Sequence, residues 1–250
     1  FGLVFSFSCN STASTIMFSR NWAGTVLEYS SFISLTSNII TDNAYGIIIS
    51  HANNNTVCIN PILSNYYYGI GFFSSFSNVL TRNSIKNNHA GIWLSSSRNN
   101  KLYHNFLVRN TYQVHDQSWD SSSVIPSINV WDDGYPSGGN YWSDHNATDL
   151  LTGPYQNVTG SDGIGDTPFI IDDNNRDSYP LMDHWTSLAG DLNNDGKVDI
   201  QDIALAASAF GSYPGHPRWN PLADINKDGI VSIIDIVLIA KNFRNNFPTT

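Results

Sequence analysis

Residues 38–49 read NIITDNAYGIII and residues 83–94 read NSIKNNHAGIWL. Both stretches have Asn at the first and sixth places, Ile at the third and tenth, and Gly at the ninth. The spacing recurs every 22 or 23 residues, with the glycine place occupied in turn by Gly2, Gly24, Gly46, Gly69, Gly91 and finally Gln113. A fixed period of this length is the sequence signature of a solenoid built from stacked repeats.

Asparagine and apolar residues form columns at the same period. The asparagine columns are Asn38, Asn60, Asn83, Asn105; then Asn43, Asn65, Asn88, Asn110; and Asn55, Asn78, Asn100. The apolar columns are Leu35, Val57, Leu80, Leu102, and Ile40, Ile62, Ile85, Leu107. Each period therefore supplies three short strands, and stacking the periods at about 4.8 Å pairs every strand with its copies. Asn and Gly suit the bends because both tolerate left-handed backbone conformations, and stacked Asn amides hydrogen-bond along a column.

These columns predict a mainly β fold, a right-handed parallel β-helix of about six 22-residue rungs over residues 1–118. We expect the column that begins at Ile40 to be buried. An ordinary β-sandwich would not keep Asn in register over consecutive periods. The chain begins at Phe1 without an initiator Met, so we also expect the solenoid to be truncated at its N-terminus.

The rungs contain few groups for catalysis. Glycoside hydrolysis needs two carboxylates on one face, whereas Glu28, Asp42 and Asp116 fall in three different columns of the repeat. We therefore predict no catalytic residues in this stretch. A polysaccharide lyase or glycoside hydrolase, with its active face in missing rungs, is the rival hypothesis.

One outward-facing column is unusually apolar: Val26, Ile48, Gly71 and Trp93. Trp93 could stack against a sugar ring, and a loop or the C-terminal cap lying over this face would explain the column equally well. We keep both interpretations.

The period is lost in residues 119–185, where aromatic residues, Gly and Asp dominate, as in the strings WDDGY at 131–135, GNYWSD at 139–144 and DGIGDTPF at 162–169. These strings resemble the segment that closes the solenoid in NosD-like β-helix proteins. We read them as a C-terminal cap with Trp131, Tyr141, Trp142 and Phe169 in its core, because an open β-helix end exposes unpaired edges. The spacing of Asp162 and Asp166 suits either a third cation site or a Gly-rich turn.

The resemblance also suggests periplasmic copper delivery, as a second alternative. Copper needs converging His, Met or Cys ligands. The histidines of the rungs occupy four different columns, at His51, His89, His104 and His115. We do not expect a copper site on the rungs.

Two twelve-residue loops near the C-terminus have the spacing of calcium-binding loops. They read DLNNDGKVDIQD at 191–202 and DINKDGIVSIID at 224–235. Calcium prefers six to eight oxygen ligands, supplied here from places 1, 3, 5, 7, 9 and 12, while Gly at place 6 permits the sharp turn. The predicted ligands of two calcium ions are Asp191, Asn193, Asp195, Lys197, Asp199 and Asp202, and Asp224, Asn226, Asp228, Ile230, Ser232 and Asp235.

An apolar helix pattern follows each loop, and no complete helix precedes either one. This arrangement, with Asp at place 12, resembles type I dockerins and predicts a small all-α module of two loop–helix motifs over residues 190–247. The resemblance implies that a cohesin-like domain of a scaffold or surface protein is the partner. It also implies that places 10 and 11 of the loops contact that partner, here Ile200 and Gln201, and Ile233 and Ile234.

Charge and hydropathy limit the other partners. The formal net charge is −9 and the twelve basic residues are scattered singly, which argues against nucleic acid. No apolar run approaches the roughly 18 residues of a membrane span. We therefore expect a secreted or cell-surface β-helix protein that binds carbohydrate, is not an enzyme in this stretch, and is attached to a cohesin-type partner through its dockerin.

Overall fold

A computed structural model describes residues 1–183, 190, 192, 198–220, 223–226 and 228–243. The chain divides into two compact units, Phe1–Trp185 and Thr186–Thr250. In the described part of the chain, neither helix combines the length and apolar character that crossing a membrane requires.

Three parallel sheets form a β-solenoid of about five turns in the first unit. The first sheet contains β1 (Leu3–Ser6), β4 (Ala23–Glu28), β7 (Tyr45–Ser50), β10 (Tyr68–Phe73), β13 (Ala90–Ser95) and β16 (Tyr112–Asp116). The second contains β2 (Thr12–Ser14), β5 (Ser34–Thr36), β8 (Thr56–Cys58), β11 (Val79–Thr81), β14 (Arg98–Tyr103) and β17 (Ile128–Val130). The third contains β3 (Met17–Ser19), β6 (Ile39–Thr41), β9 (Pro61–Leu63), β12 (Ser84–Lys86), β15 (Phe106–Val108) and β18 (Tyr141–Trp142).

The strand register confirms the predicted columns. Ile40 pairs with Ile62, Ile62 with Ile85, and Ile85 with Leu107, and all four side chains are fully buried. The outward column also keeps its register from Val26 to Trp93. The solenoid core is therefore a stack of apolar side chains at strand spacing.

One part of the expected reason for Asn and Gly at the bends is wrong, because neither the column asparagines nor the repeated glycines have a left-handed backbone conformation. The left-handed residue at each bend precedes the Asn of the column, as at Ile59 with φ of 57°. The repeated glycines do not have positive φ values; they are needed because neighbouring turns approach closely. A Cβ at Gly46 would lie 2.1 Å from the carbonyl oxygen of Gly69.

The buried asparagines form hydrogen-bonded ladders along the solenoid. Asn83 is typical: its Oδ1 accepts the backbone N–H and the Nδ2 of Asn60 at 3.0 and 2.9 Å, and its Nδ2 donates to Oδ1 of Asn105 at 3.0 Å. One ladder contains Asn38, Asn60, Asn83, Asn105 and Asn140, and ends at the carboxylate of Asp177. Because every amide donates in the same direction, a carboxylate, which only accepts, suits the last place.

The last turn of the solenoid extends beyond residue 118, where we placed the end of the rungs. β17 and β18 continue the second and third sheets after longer connections than in the earlier turns. Trp131 and Trp142 are buried in the solenoid core, and the ring of Phe169 stacks on Trp142 at 4.3 Å. Two antiparallel pairs complete this region: β19 (Leu151–Thr152) with β20 (Val158–Thr159), and β21 (Phe169–Ile170) with β22 (Arg176–Asp177).

Asp177 makes the stability of this unit depend on pH. Its buried carboxylate accepts hydrogen bonds from Asn140 N, Trp142 Nε1 and Tyr179 N. Burial, with a smaller contribution from the charge of Asp132, raises the pKa of Asp177 to about 7 despite these hydrogen bonds. A folded-state pKa above the unfolded value means that the stabilising contribution is fully present below about pH 4 and is lost as the pH rises through 7.

We expect the free energy of unfolding of the β-helix to lose about 1.3 kcal/mol per pH unit from this group between pH 5 and 6, and about half of that at pH 7, where the folded-state group is half ionised. Denaturant titrations at several pH values would measure the slope in the native chain and in Asp177→Asn, where it should flatten. Asp173→Asn, at an exposed carboxylate of the same region, is the matched control. Equal slopes in the native chain and in Asp177→Asn would contradict this assignment.

The described part of the second unit contains two nine-residue helices, α1 (Ile200–Ser208) and α2 (Ile233–Lys241). Its core is small and consists of Leu192, Val198, Ala206, Ala209, Ala223, Val231 and Ile239. Helices this short are marginal on their own, so this unit needs stabilisation beyond its apolar packing.

Candidate calcium and partner-binding site

The second loop folds around the carboxylate of its first residue, Asp224. Asp224 Oδ1 accepts the N–H of Asp228 at 3.1 Å, and Oδ2 accepts the N–H of Gly229 at 2.9 Å. Gly229 has a φ of +87°, a left-handed conformation that favours glycine. Asn226 Oδ1 also accepts the N–H of Asp228, at 3.0 Å. The side chains at places 1 and 3 are therefore drawn to the inside of the turn.

The aspartate at place 12 is held at the start of α2. Ser232 caps the helix, and Asp235 Oδ2 accepts the N–H of Ser232 at 2.7 Å in a capping box. Asp235 Oδ1 accepts the N–H of Asn226 at 3.2 Å, which joins the end of the loop to its beginning. Burial acts to raise the pKa of Asp235, but the hydrogen bonds from Ser232 and Asn226 outweigh it and hold the pKa below its usual range.

The chemistry of this loop fits calcium. Asp224 and Asp235 are buried carboxylates, and no salt bridge to Lys or Arg is found for either among the described residues. Buried charges of one sign need a compensating partner. Both oxygens of Asp224 and Oδ1 of Asp235 keep a second lone pair beside their hydrogen bond, whereas Asp235 Oδ2 accepts from both the N–H and the hydroxyl of Ser232.

Carboxylates alone do not complete the site. Over the described residues, no three His, Cys, Asp or Glu side chains converge as metal ligands. The loop approaches the six to eight oxygens that calcium prefers only when the Asn226 amide, the Ile230 carbonyl and the Ser232 hydroxyl are included. The calcium ligands of the second loop remain a prediction.

The first loop lies partly outside the described residues, including the predicted ligands Asp191, Asn193, Asp195 and Lys197. Its last part repeats the geometry of the second loop. Asp199 caps α1, and Asp202 Oδ2 accepts the N–H of Asp199 at 2.8 Å. Asp202 Oδ1 accepts the N–H of Leu192 at 2.7 Å. Both loops thus fix the place-12 aspartate by a capping box and by one backbone N–H near the start of the loop, at place 2 in the first loop and at place 3 in the second.

The predicted partner-contact residues are exposed at the starts of the two helices. Ile200 is 65% exposed at the first residue of α1, beside exposed Gln201. Ile233 is 61% and Ile234 is 54% exposed at the first two residues of α2. Large apolar side chains exposed in adjacent positions are typical of a protein contact surface. Their role in partner binding remains a prediction.

The predicted third cation site has no support in the described geometry. Asp166 accepts hydrogen bonds from Leu150 N, Leu151 N and Thr148 Oγ1. Asp162 Oδ2 accepts Gly153 N at 3.2 Å and Gln156 Nε2 at 3.1 Å. Both carboxylates therefore fix the loops around β19 and β20.

Trp93 is partly exposed on the outer face of the first sheet. Its ring stacks on His115 with centroids 4.4 Å apart, and His115 is hydrogen-bonded to Asp120 at 2.7 Å. A 3-10 turn at Gln117–Trp119 follows, and it covers one end of this face rather than the whole column. The same face also contains Tyr45, Tyr67 and Tyr68, which were not predicted from the sequence. The run of three tyrosines at 66–68 could have indicated an aromatic surface here.

Two family models match the chain. The model described as periplasmic copper-binding protein (NosD) matches residues 1–147, and the dockerin type I domain model matches residues 189–244. Searches among curated proteins and among solved structures find no match. A type I dockerin implies calcium binding and attachment to a cohesin partner.

Proposed function

We propose that this chain, which belongs to the NosD family over its first 147 residues, is an exported β-helix protein that binds carbohydrate and attaches to a cohesin-type partner through its calcium-loaded dockerin. Two calcium ions, one in each loop, would hold the dockerin in its binding conformation. The extracellular or cell-surface location follows from this mode of attachment.

One observation supports attachment to a cohesin-type partner through the dockerin. In both motifs, the capping box that fixes the place-12 aspartate also presents places 10 and 11 as the exposed first residues of a helix. Calcium bound through place 12 therefore orders the surface that meets the partner. Calcium binding and partner binding are coupled because one short segment does both.

Substitution of Ile233 and Ile234 tests the proposed contact with a cohesin domain. We expect the double substitution Ile233→Ser with Ile234→Ser to raise the Kd for a type I cohesin domain more than tenfold, because exposed apolar anchors carry most of the energy of such contacts. Calorimetric titration in millimolar calcium measures the change. Tyr213→Ser, at an exposed residue between the two motifs, is the control and should leave the Kd unchanged. An unchanged Kd in the double variant would exclude this pair as the contact.

The positions of the carboxylates on the β-helix favour carbohydrate binding over polysaccharide hydrolysis or cleavage. Glu28 pairs in register with Ser6 and Ser50 on the first sheet, whereas Asp116 lies in the buried column of Leu94. Asp116 accepts backbone hydrogen bonds from Ser118 and Ser127. A carboxylate committed to the core is unsuited to acid or base chemistry on a polysaccharide.

The copper-binding role in the family's description has weaker support from the side chains. Burial lowers the pKa of His104 to about 3, and its Nε2 lies 3.0 Å from the carbonyl oxygen of Ser137, within the fold. His115 Nε2 lies 2.7 Å from Asp120 Oδ2 and is hydrogen-bonded to it. Copper would require several such rings to converge.

A further inference from the structure

An aromatic groove lies on the outer face of the first sheet. It has a volume of about 300 Å³, and its lining includes Tyr45, Tyr67, Tyr68, His89, Trp93 and Gln117. This volume is at the lower end of the range for small-molecule sites.

The floor of the groove results from one glycine in the outward column. Gly71 stands in register between Ile48 and Trp93. Because Gly71 has no side chain, the ring of Tyr68 lies over it; a Cβ at Gly71 would be 2.6 Å from a Tyr68 ring carbon. Tyr68 is buried as a result.

Neighbouring rings hold the exposed faces in place. Tyr67, which is 47% exposed, stacks on Tyr45 with centroids 4.8 Å apart and planes 19° apart. Trp93 lies between the ring of His115, at 4.4 Å, and the ring of Tyr68, at 6.3 Å. Rings fixed before a ligand arrives lose little conformational entropy on binding, so this site is preorganised.

The lining consists of aromatic residues with one histidine and one glutamine. None of its side chains is Lys, Arg, Asp or Glu, within the fully described stretch 1–183. An acidic sugar such as a uronate needs basic partners for its carboxylate. The groove instead offers flat apolar faces, with tyrosine hydroxyls, an imidazole and an amide as polar groups. A neutral pyranose ring has the matching chemistry, an apolar C–H face edged by hydroxyl groups.

We infer that this groove binds the sugar rings of a neutral glycan, with Tyr67 as the stacking platform and Trp93 as a neighbouring apolar contact. The inference rests on the carbohydrate binding in the proposed function and names its site and ligand class. It concerns the β-helix alone and does not depend on attachment through the dockerin.

The test uses the full chain in calcium and a panel of soluble oligosaccharides. The panel contains neutral hexasaccharides of glucose, xylose and mannose, and hexagalacturonate as the acidic member. Calorimetry should detect binding to at least one neutral member and none to hexagalacturonate. Tyr67→Ala and Trp93→Ala should each raise the Kd at least tenfold, whereas Tyr67→Phe should change it less than threefold because the stacking face is kept.

Tyr155→Ala is the matched control, since Tyr155 is an exposed tyrosine outside the groove. Thermal melting of each variant identifies any defect in folding. If Trp93→Ala is unstable, Tyr67→Ala still tests the groove, because Tyr67 is half-exposed. Glycan binding that survives both alanine substitutions, or binding restricted to hexagalacturonate, would overturn the groove assignment while leaving carbohydrate binding in place. No binding to any panel member would overturn both.

Discussion

Chelation of calcium should unfold the C-terminal unit and leave the β-helix folded. Among the described residues of that unit, seven form a small buried core and three of these are alanines, and the two described helices have nine residues each. Such a core does not stabilise a module of this size unaided. The loop carboxylates of Asp224, Asp228 and Asp235 would also repel one another without a cation. Binding restricted to the native state adds RT ln(1 + [L]/Kd), or about 4 kcal/mol for millimolar calcium over a micromolar site.

Circular dichroism during chelator titration measures this effect. We expect the helical signal to disappear while the β-sheet signal remains. Asp228→Ala should empty the second site, and Asp195→Ala the first. Asp173→Ala, an exposed carboxylate of the β-helix unit, should leave the calcium dependence unchanged. A helical signal of equal size with and without chelator would show that the metal does not hold this unit together.

Asn83→Ala should destabilise the β-helix by about 4 kcal/mol, because it removes the middle of a buried ladder. The Asn83 side chain accepts two hydrogen bonds from Asn60 and donates to the carbonyl of Val57 at 2.9 Å. Alanine removes the partner of the backbone N–H of Asn60 and this partner of the Val57 carbonyl, each at a cost of about 1–3 kcal/mol, whereas Asn60 Nδ2 keeps the carbonyls of Leu35 and Cys58.

Urea unfolding of the full chain in calcium provides the measurement. Asn174→Ala is the control at an exposed asparagine, and it should change the free energy of unfolding by less than about 0.5 kcal/mol. Asn83→Asp should also destabilise, since a carboxylate cannot donate to Val57. A loss below about 1 kcal/mol in Asn83→Ala would mean that the ladders contribute little to stability.

Sequence reasoning predicted the solenoid wherever the period is constant. The Ile40 column and the outward column could be read directly, because each strand repeats after 22 or 23 residues. The ladders continue through Asn129 and Asn140 after separations of 29 and 35 residues. Those insertions hide the period, so these asparagines and the terminal Asp177 could not be recognised from spacing.

The calcium loops could be predicted from the sequence, whereas the groove could not. The loops are local, and their twelve-residue pattern is complete in the sequence. The groove depends on Tyr68 lying over Gly71, two residues of one strand whose side-chain packing does not follow from strand alternation. Trp93 alone was therefore predicted, and its aromatic neighbours required the structure.

A calorimetric titration of the full chain with a panel of type I cohesin domains, in millimolar calcium and again in excess chelator, tests whether the dockerin attaches the chain to a partner. We expect one-to-one binding of at least one cohesin in calcium and loss of that binding in chelator. Binding that is equally strong in chelator, or no binding to any cohesin domain in calcium, would contradict attachment through a calcium-loaded dockerin.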